Sequence, residues 1–481
     1  MTERFSGLRA TVMGLGTRAG GAGVARYLAE AGAIVTVTDT KPATALHDSI
    51  AAMAGLPIRF VIGGHDERDF TPAGADLIVR NPGVRRGAPL LQLARQHGLP
   101  VEMEMTLFFR ACPAPIVGIT GTKGKTSTAT ICAAMLRAWD PRTVLAGNMG
   151  VSALARLPEI VPETPVVLEL SSWQLEGLAE HRLAPRIAVL TMIAEDHLDA
   201  YDDFDDYAET KRSIARSQSA GDDLVLNRDD DEAWRAGDDT AARVVPFGHT
   251  DRGDDGAWFA DRSLLWRWRG ENARVVLADI PALAGPHNAA NTAAAMAAAR
   301  LRGAPHDAIV SALATYHGVK DRMEPVAEIA GVRYINDTSA TAPVAAAAAL
   351  RSFAGHPVHL LAGGADKRLD PSPLIEAAVT NAAAIYLLDG TATPAIERGL
   401  RRAGCPPVGT FTGMREAVHA AAAAATAGDV VLLSPGCASF GLFRDEFDRG
   451  EQFRRRVREM TSLAATLPAV ATSSTDTGGD R

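Results

Sequence analysis

Short runs of β-branched and aliphatic residues alternate with alanine-rich stretches at helical spacing along most of the chain. That alternation predicts repeated strand–helix units, whose parallel strands are covered on both faces and read as continuous apolar runs. The fold class expected is therefore α/β. In the first hundred residues Ala10–Met13, Ile34–Thr38, Ile58–Ile62 and Leu77–Val79 read as strands, with a helix over Gly21–Ala31 between the first two.

Pro113-Ala114-Pro115 interrupts this rhythm and places a first boundary near residue 112. Strands are then expected at Ile116–Thr120, Val166–Leu170, Ile187–Thr191 and Leu224–Leu226. A polar Asp- and Arg-rich region, Asn227 to Arg274, reads as short strands and loops at a domain edge. An alanine-rich helix runs from His287 to about Arg302, and the weakly periodic stretch Thr315–Met323 sets a second boundary near residue 318. Strands at Val332–Asn336, Val358–Ala362, Ile385–Leu388 and Val430–Leu433 follow. The expected domains are 1–112, 113–318 and 319–468, with a small, polar, disordered tail over 469–481.

Composition narrows the classes. The chain has 481 residues, a length that suits about three domains, and its 47% hydrophobic and 22% charged residues are ordinary for a soluble globular protein. No secretory leader or spanning segment is apparent, so a cytoplasmic protein without membrane insertion is expected. The net charge of −8 lacks the footprint of a nucleic-acid binder, and an anionic ligand must be held by local groups. Cys112, Cys132, Cys405 and Cys437 form no C-x-x-C pair, which predicts reduced and mostly buried thiols.

The strongest local signal is GITGTKGKTS, Gly118 to Ser127, between a strand and a helix. Glycines there let backbone N–H groups approach phosphate oxygens, Lys125 reaches terminal phosphates, and the Thr126 hydroxyl is placed to ligate Mg²⁺. The spacing is not that of a strict Walker A loop; the competing reading is a glycine-rich turn with a surface Lys. Near the start, MGLGTRAGG follows a strand, and Asp39 closes the next strand 25 positions after Gly14. As a partial G-x-G-x-x-G fingerprint, this leaves a NAD(P) domain open.

The G-T-x-G-K-T form resembles the Mur ligase and folylpolyglutamate synthase superfamily, and further blocks carry the likeness in order: GNMG, LELSSWQLE, TMIAEDHLDAY, Lys211, GPHNAANTAAA, NDTSAT, GGADKRLD and SPGCASF. The resemblance implies a monomeric ATP-dependent ligase of three domains: a Rossmann-like N-terminal domain, a central P-loop ATPase with a mainly parallel sheet, and a Rossmann-like C-terminal domain. The substrates it implies are UDP-N-acetylmuramoyl-L-alanine and glutamate, and the cofactors are ATP and two Mg²⁺ ions. Gly121, Thr122, Lys123, Gly124, Lys125, Thr126, Ser127, Asn288, Asn291, Arg322 and Asp337 would contact ATP. Thr126, Glu169, His197 and a CO₂-carbamylated Lys211 would hold the metals, with Lys125, His197, Lys211 and Arg322 catalytic.

Gly16, Thr17, Arg18, Asp39, Thr40 and Asn81 would face the UDP moiety, Asn148, Ser171 and Gln174 the rest of that substrate, and Lys367 and Ser439 the incoming amino acid. Two residues depart from the family pattern: Asn81 stands for Ser in S-P-G, and Ser339 for Lys in N-D-S-K-A-T. Ser339 leaves the D or L isomer of glutamate open. Taken singly, Glu169 reads as a solvated or paired acid, His197 as a structural His and Lys211 as a solvent-facing Lys. Also open are a related ligase with another substrate and a nucleotide-gated binding protein without ligase chemistry.

Overall fold

The computed structural model describes residues 5–16, 19–150, 152–196, 200–277, 283 and 286–466. The chain forms two compact units, Met1–Tyr316 and His317–Arg481. Thr17, Arg18, His197 and the tail 469–481 lie outside the described residues.

The first unit holds two sheets. The smaller consists of β1 (Arg9–Met13), β2 (Ile34–Asp39), β3 (Ile58–Ile62), β4 (Leu77–Arg80) and β5 (Val101–Glu102), all parallel in the order β3-β2-β1-β4-β5. The larger contains β6 (Ile116–Thr120), β7 (Val144–Gly147), β8 (Val166–Glu169), β9 (Ile187–Leu190), β10 (Asp223–Asn227), β11 (Arg243–Gly248), β12 (Gly256–Ala260), β13 (Ser263–Trp268) and β14 (Glu271–Val276). Its order is β14-β13-β12-β11-β10-β9-β6-β8-β7. The strands β6 to β12 are parallel, and β12 to β14 form an antiparallel edge. The polar stretch after Asn227 thus extends the sheet: Ala257, Trp258, Leu264 and Trp266 are buried, whereas Phe259, Leu265 and Arg267 are only half-buried.

Every residue of β6, β8 and β9 is buried, as expected of strands covered on both faces. The low-complexity run Ala293–Ala299 proves to be a packing device. Its alanines, with Met296, are almost fully buried in the helix Pro286–Arg302, and their small side chains let it lie close against the helix Lys125–Trp139.

The two sheets of this unit are joined by buried polar contacts. Arg80, at the end of β4 and 1% exposed, donates to Glu176 Oε2 at 2.8 Å and to the Val84 carbonyl at 2.9 Å. Glu104 accepts from Ser152 Oγ at 2.5 Å and from the Ala153 amide at 2.8 Å, and burial raises its pKa.

In the second unit β15 (Glu324–Ile329), β16 (Val332–Asn336), β17 (Val358–Ala362), β18 (Ala382–Leu388), β19 (Gly409–Phe411) and β20 (Val430–Leu433) form a sheet in the order β15-β16-β20-β17-β18-β19. Only the pair β15–β16 is antiparallel. The cysteines are free, but the expectation of mostly buried thiols holds for only two: Cys132 and Cys437 are buried, whereas Cys112 and Cys405, flanking turns, are half-buried. No described helix is long and apolar enough to cross a membrane.

The Arg80–Glu176 pair yields a stability prediction. Glu176→Ala strands a buried guanidinium and should cost about 3–5 kcal/mol, whereas Arg80→Leu with Glu176→Leu should cost clearly less. Urea unfolding of the two variants checks this; equal losses would refute it.

Candidate functional site

The strand order decides which loops meet. At the C-terminal edge of the larger sheet, β8 lies between β6 and β7, so Glu169 at its end is flanked by the loops that follow those two strands. Thr126, in the first turn of the helix Lys125–Trp139 that follows β6, donates its hydroxyl to Glu169 Oε2 at 2.7 Å, and Asn148, after β7, donates to Oε1 at 3.1 Å. Glu169 is 3% exposed, so both carboxylate oxygens are held by neutral donors inside the protein. A hydroxyl and a carboxylate oxygen this close suit a hard divalent cation such as Mg²⁺. Among the described residues no group of three His, Cys, Asp or Glu side chains is arranged to hold a metal, and His197 is not among them.

The phosphate loop is tightly constrained. Gly121 and Gly124 have φ of 143° and 89°. A Cβ on Gly121 would lie 1.9 Å from Thr191 Oγ1, and one on Gly124 2.4 Å from Asn291 Oδ1, so only glycine fits either place. The Thr122 amide donates to the Met192 carbonyl at 2.7 Å, and Thr191 Oγ1 to the Lys123 carbonyl at 2.6 Å, which pins the loop to the segment after β9. Lys125 Nζ donates to the Gly121 and Thr122 carbonyls at 2.8 Å each, across the mouth of the loop. Lys123 is exposed and Ser127 half-buried. Asn291 also accepts from Thr128 Oγ1 at 3.3 Å, and Asn288 stands one turn earlier on the same helix.

Lys211 is not the solvent-facing Lys that its sequence context suggests when taken singly. It is 2% exposed on the helix Phe204–Arg216, with Nζ 3.3 Å from Thr120 Oγ1. Burial, reinforced by the Lys125 charge, drives its pKa well below the usual lysine value, against the opposing pull of Asp196 and Glu169. The shift is toward the neutral amine. Tyr207, one turn before it, faces Lys211 Nζ at 5.5 Å and meets Thr122 Oγ1 at 3.1 Å through its hydroxyl. Sequence reasoning passed over Tyr207; its i, i+4 spacing from Lys211 was the available signal.

In the smaller sheet, Asp39 accepts from the Gly16 amide at 3.0 Å and the Lys41 amide at 2.9 Å, so its carboxylate fixes the turn after β1. Thr40 beside it is exposed. Asn81 Oδ1 accepts from the Gly83 amide at 3.0 Å, closing a turn that packs on Gly14. Ser171 and Gln174 bind each other as the capping box of the helix Ser172–Glu180.

The second unit carries the remaining predicted residues. Asp337, at the end of β16, accepts from Ser434 Oγ at 2.8 Å and from the Met323 amide at 3.2 Å. Burial raises its pKa to about 6 against those donors and the Arg322 charge. Lys367 donates to Thr341 Oγ1 at 2.8 Å and lines a cavity with Pro343, Arg368, Leu369, Gly436 and Cys437; Ser439 is buried nearby in sequence, at 3% exposure.

Three family descriptions match this chain: the MurD-like N-terminal domain of Mur ligases over residues 8–102, the Mur ligase middle domain over 119–299 and the Mur ligase glutamate ligase domain over 321–437. The UDP-N-acetylmuramoylalanine–D-glutamate ligase of a Roseiflexus species is 48% identical over 95% of this chain and 100% of its own length. The enzyme of the same name from Symbiobacterium thermophilum is 37% identical over 94% and 98%. Among solved structures, the UDP-N-acetylmuramate–alanine ligase MurC of Thermotoga maritima aligns with a TM-score of 0.58 at 17% identity, over 94% of this chain and all of the other, a likeness of fold. The match over 8–102 replaces the NAD(P) alternative for the first sheet.

The state of Asp337 has a pH consequence. Its folded-state pKa lies above the ordinary carboxylate value, so the native state binds the extra proton, and stability from this group falls as pH rises through about 6. Between pH 5 and 7 the wild type should lose about 1 kcal/mol more than Asp337→Asn. Urea denaturation at the two pH values checks this, and a loss of equal size in both proteins would contradict it.

Proposed function

This chain belongs to the Mur ligase family, and we propose that it joins D-glutamate to the terminal carboxylate of UDP-N-acetylmuramoyl-L-alanine in peptidoglycan precursor synthesis. It is an ATP-dependent, amide-bond-forming ligase. The observation that carries the reading is the meeting of a glycine-constrained phosphate loop with Thr126, Glu169 and Asn148 at one sheet edge, in a chain 48% identical to a D-glutamate ligase along its length.

The proposed division of labour follows three regions. Residues 1–112 take the UDP moiety, with Gly16, Thr17, Arg18, Asp39, Thr40 and Asn81 toward it; residues 113–318 take ATP; residues 319–468 take the amino acid through Lys367 and Ser439. The substrate's carboxylate attacks the γ-phosphate of ATP and forms an acyl phosphate with release of ADP. The glutamate amine then attacks the acyl carbon, and phosphate leaves through a tetrahedral intermediate. Such catalysis rests on positioning and on neutralising charge at the transferring phosphoryl group. Lys125, whose Nζ spans the loop mouth, is proposed to carry that task, with Arg322 joining it. Asn288, Asn291 and Asp337 would hold the nucleotide.

Thr126 and Glu169 supply oxygen donors for Mg²⁺, with Ser171, Gln174 and Asn148 toward the muramoyl-alanine. When bound, the metal supplies charge compensation for the triphosphate. His197 and Lys211 are proposed to complete the metal set, Lys211 after carbamylation by CO₂. Carbamylation needs a neutral amine, and burial beside Lys125 favours one.

The decisive assay is phosphate release with each substrate withheld in turn, and with L-glutamate run beside D-glutamate. Release should require ATP, UDP-N-acetylmuramoyl-L-alanine and D-glutamate together; release without either co-substrate, or equal use of L-glutamate, would refute the assignment. Lys211→Ala should lower kcat on the order of 10²-fold. A fully active Lys211→Ala protein, with only free amine seen by ¹³C NMR in labelled bicarbonate, would exclude the carbamate.

A further inference from the structure

One buried cation in the second unit is not used by this mechanism. Arg449, on the helix Glu446–Thr466, is 0% exposed, yet among the described residues no carboxylate pairs with it. Its guanidinium instead grips two loops. Nε donates to Thr338 Oγ1 at 2.9 Å, Nη2 to the Thr338 carbonyl at 2.9 Å and Nη1 to the Cys437 carbonyl at 3.2 Å. Burial lowers its pKa to about 10, which leaves it charged at neutral pH.

The neighbouring Arg454 shows the contrast. It is equally buried but is answered by Asp321, Glu324 and Glu451, so its charge is spent locally. A buried charge is costly unless an opposite charge or a set of dipoles compensates it, and the direct partners of Arg449 are carbonyls and a hydroxyl, with Glu446 adding only a more distant attraction. Close approach is built in: a Cβ on Gly450 would lie 2.3 Å from Asp321 Oδ1 and 2.7 Å from Thr338 Cγ2.

The gripped loops are those that follow β16 and β20. The first, Asn336 to Thr341, contains no Lys or Arg of its own. The second contributes Gly436 and Cys437 to the cavity that Lys367 and Arg368 also line. Because Nη1 holds the Cys437 carbonyl and Cys437 lines the cavity, the Arg449 charge lies directly behind the cavity wall, which Lys367, Arg368 and Asp366 also line.

We propose that Arg449 is a specificity-determining positioning residue, whose buried charge, with no carboxylate in direct contact among the described residues, biases this cavity toward an amino acid with two carboxylates. The proposal rests on the ligase reading above and names what selects its amino acid. A neutral replacement that keeps hydrogen-bond donors should weaken dicarboxylate binding and spare the other two substrates.

The test compares full-length wild type, Arg449→Gln and Arg449→Lys by steady-state kinetics, with glutarate and its monoamide as competitive inhibitors against D-glutamate. Arg449→Gln should raise the glutamate KM about 10-fold or more, leave the KM values for ATP and the UDP substrate within about 2-fold, and abolish the preference for glutarate over the monoamide. Arg449→Lys should keep that preference. An unchanged glutamate KM in Arg449→Gln, or KM values raised alike for all three substrates, would overturn the proposal. Should Arg449→Gln fail to fold, Arg449→Lys decides: a retained glutarate preference supports the charge, and a lost one assigns Arg449 to scaffolding. A wild type without glutamate-dependent phosphate release would instead sink the ligase reading itself.

Discussion

Parallel strands end at the same edge of a sheet, and the chemistry of the first unit depends on that constraint. The order β9-β6-β8-β7 puts the ends of four strands side by side. Glu169 thereby receives Thr126 from one neighbour and Asn148 from the other, while Thr191 reaches across from β9 to hold the phosphate loop. Residues 21 to 68 positions apart in the chain become hydrogen-bond partners because their strands terminate together.

Close approach and burial then set chemical states. The loop at Gly121 and Gly124 passes so near Thr191 and Asn291 that no side chain fits, which brings backbone groups to where phosphate would lie. Burial elsewhere in the chain strips water from ionisable side chains. Lys211 loses its proton more readily in that environment, and Asp337 and Glu104 hold theirs more tightly. In each case the largest cause is desolvation, with charges and hydrogen bonds as corrections.

Much of both units was legible from the residues. Strands such as Ile116–Thr120 and Val430–Leu433 fall where their apolar runs placed them, because a strand buried on both faces is predominantly apolar. The edge strands β11 to β14 were less legible, since one face meets solvent and the run of polar residues hides the alternation. Tyr207 was missed because an aromatic at helical spacing reads as ordinary core. Arg449 was missed because nothing in its local sequence distinguishes it from the exposed arginines that follow it.

By itself the sequence determined the α/β class, the glycine-constrained loop after β6 and the order of the family blocks, all of which rest on local steric rules and periodicity. Only the tertiary structure decided that Glu169 binds residues that follow two different strands, that Lys211 is buried rather than solvated, and that, among the described residues, Arg449 has no carboxylate in direct contact while Arg454 has three. Those outcomes depend on which strands and helices become neighbours and on how much water remains between them, and both are properties of packing across the chain.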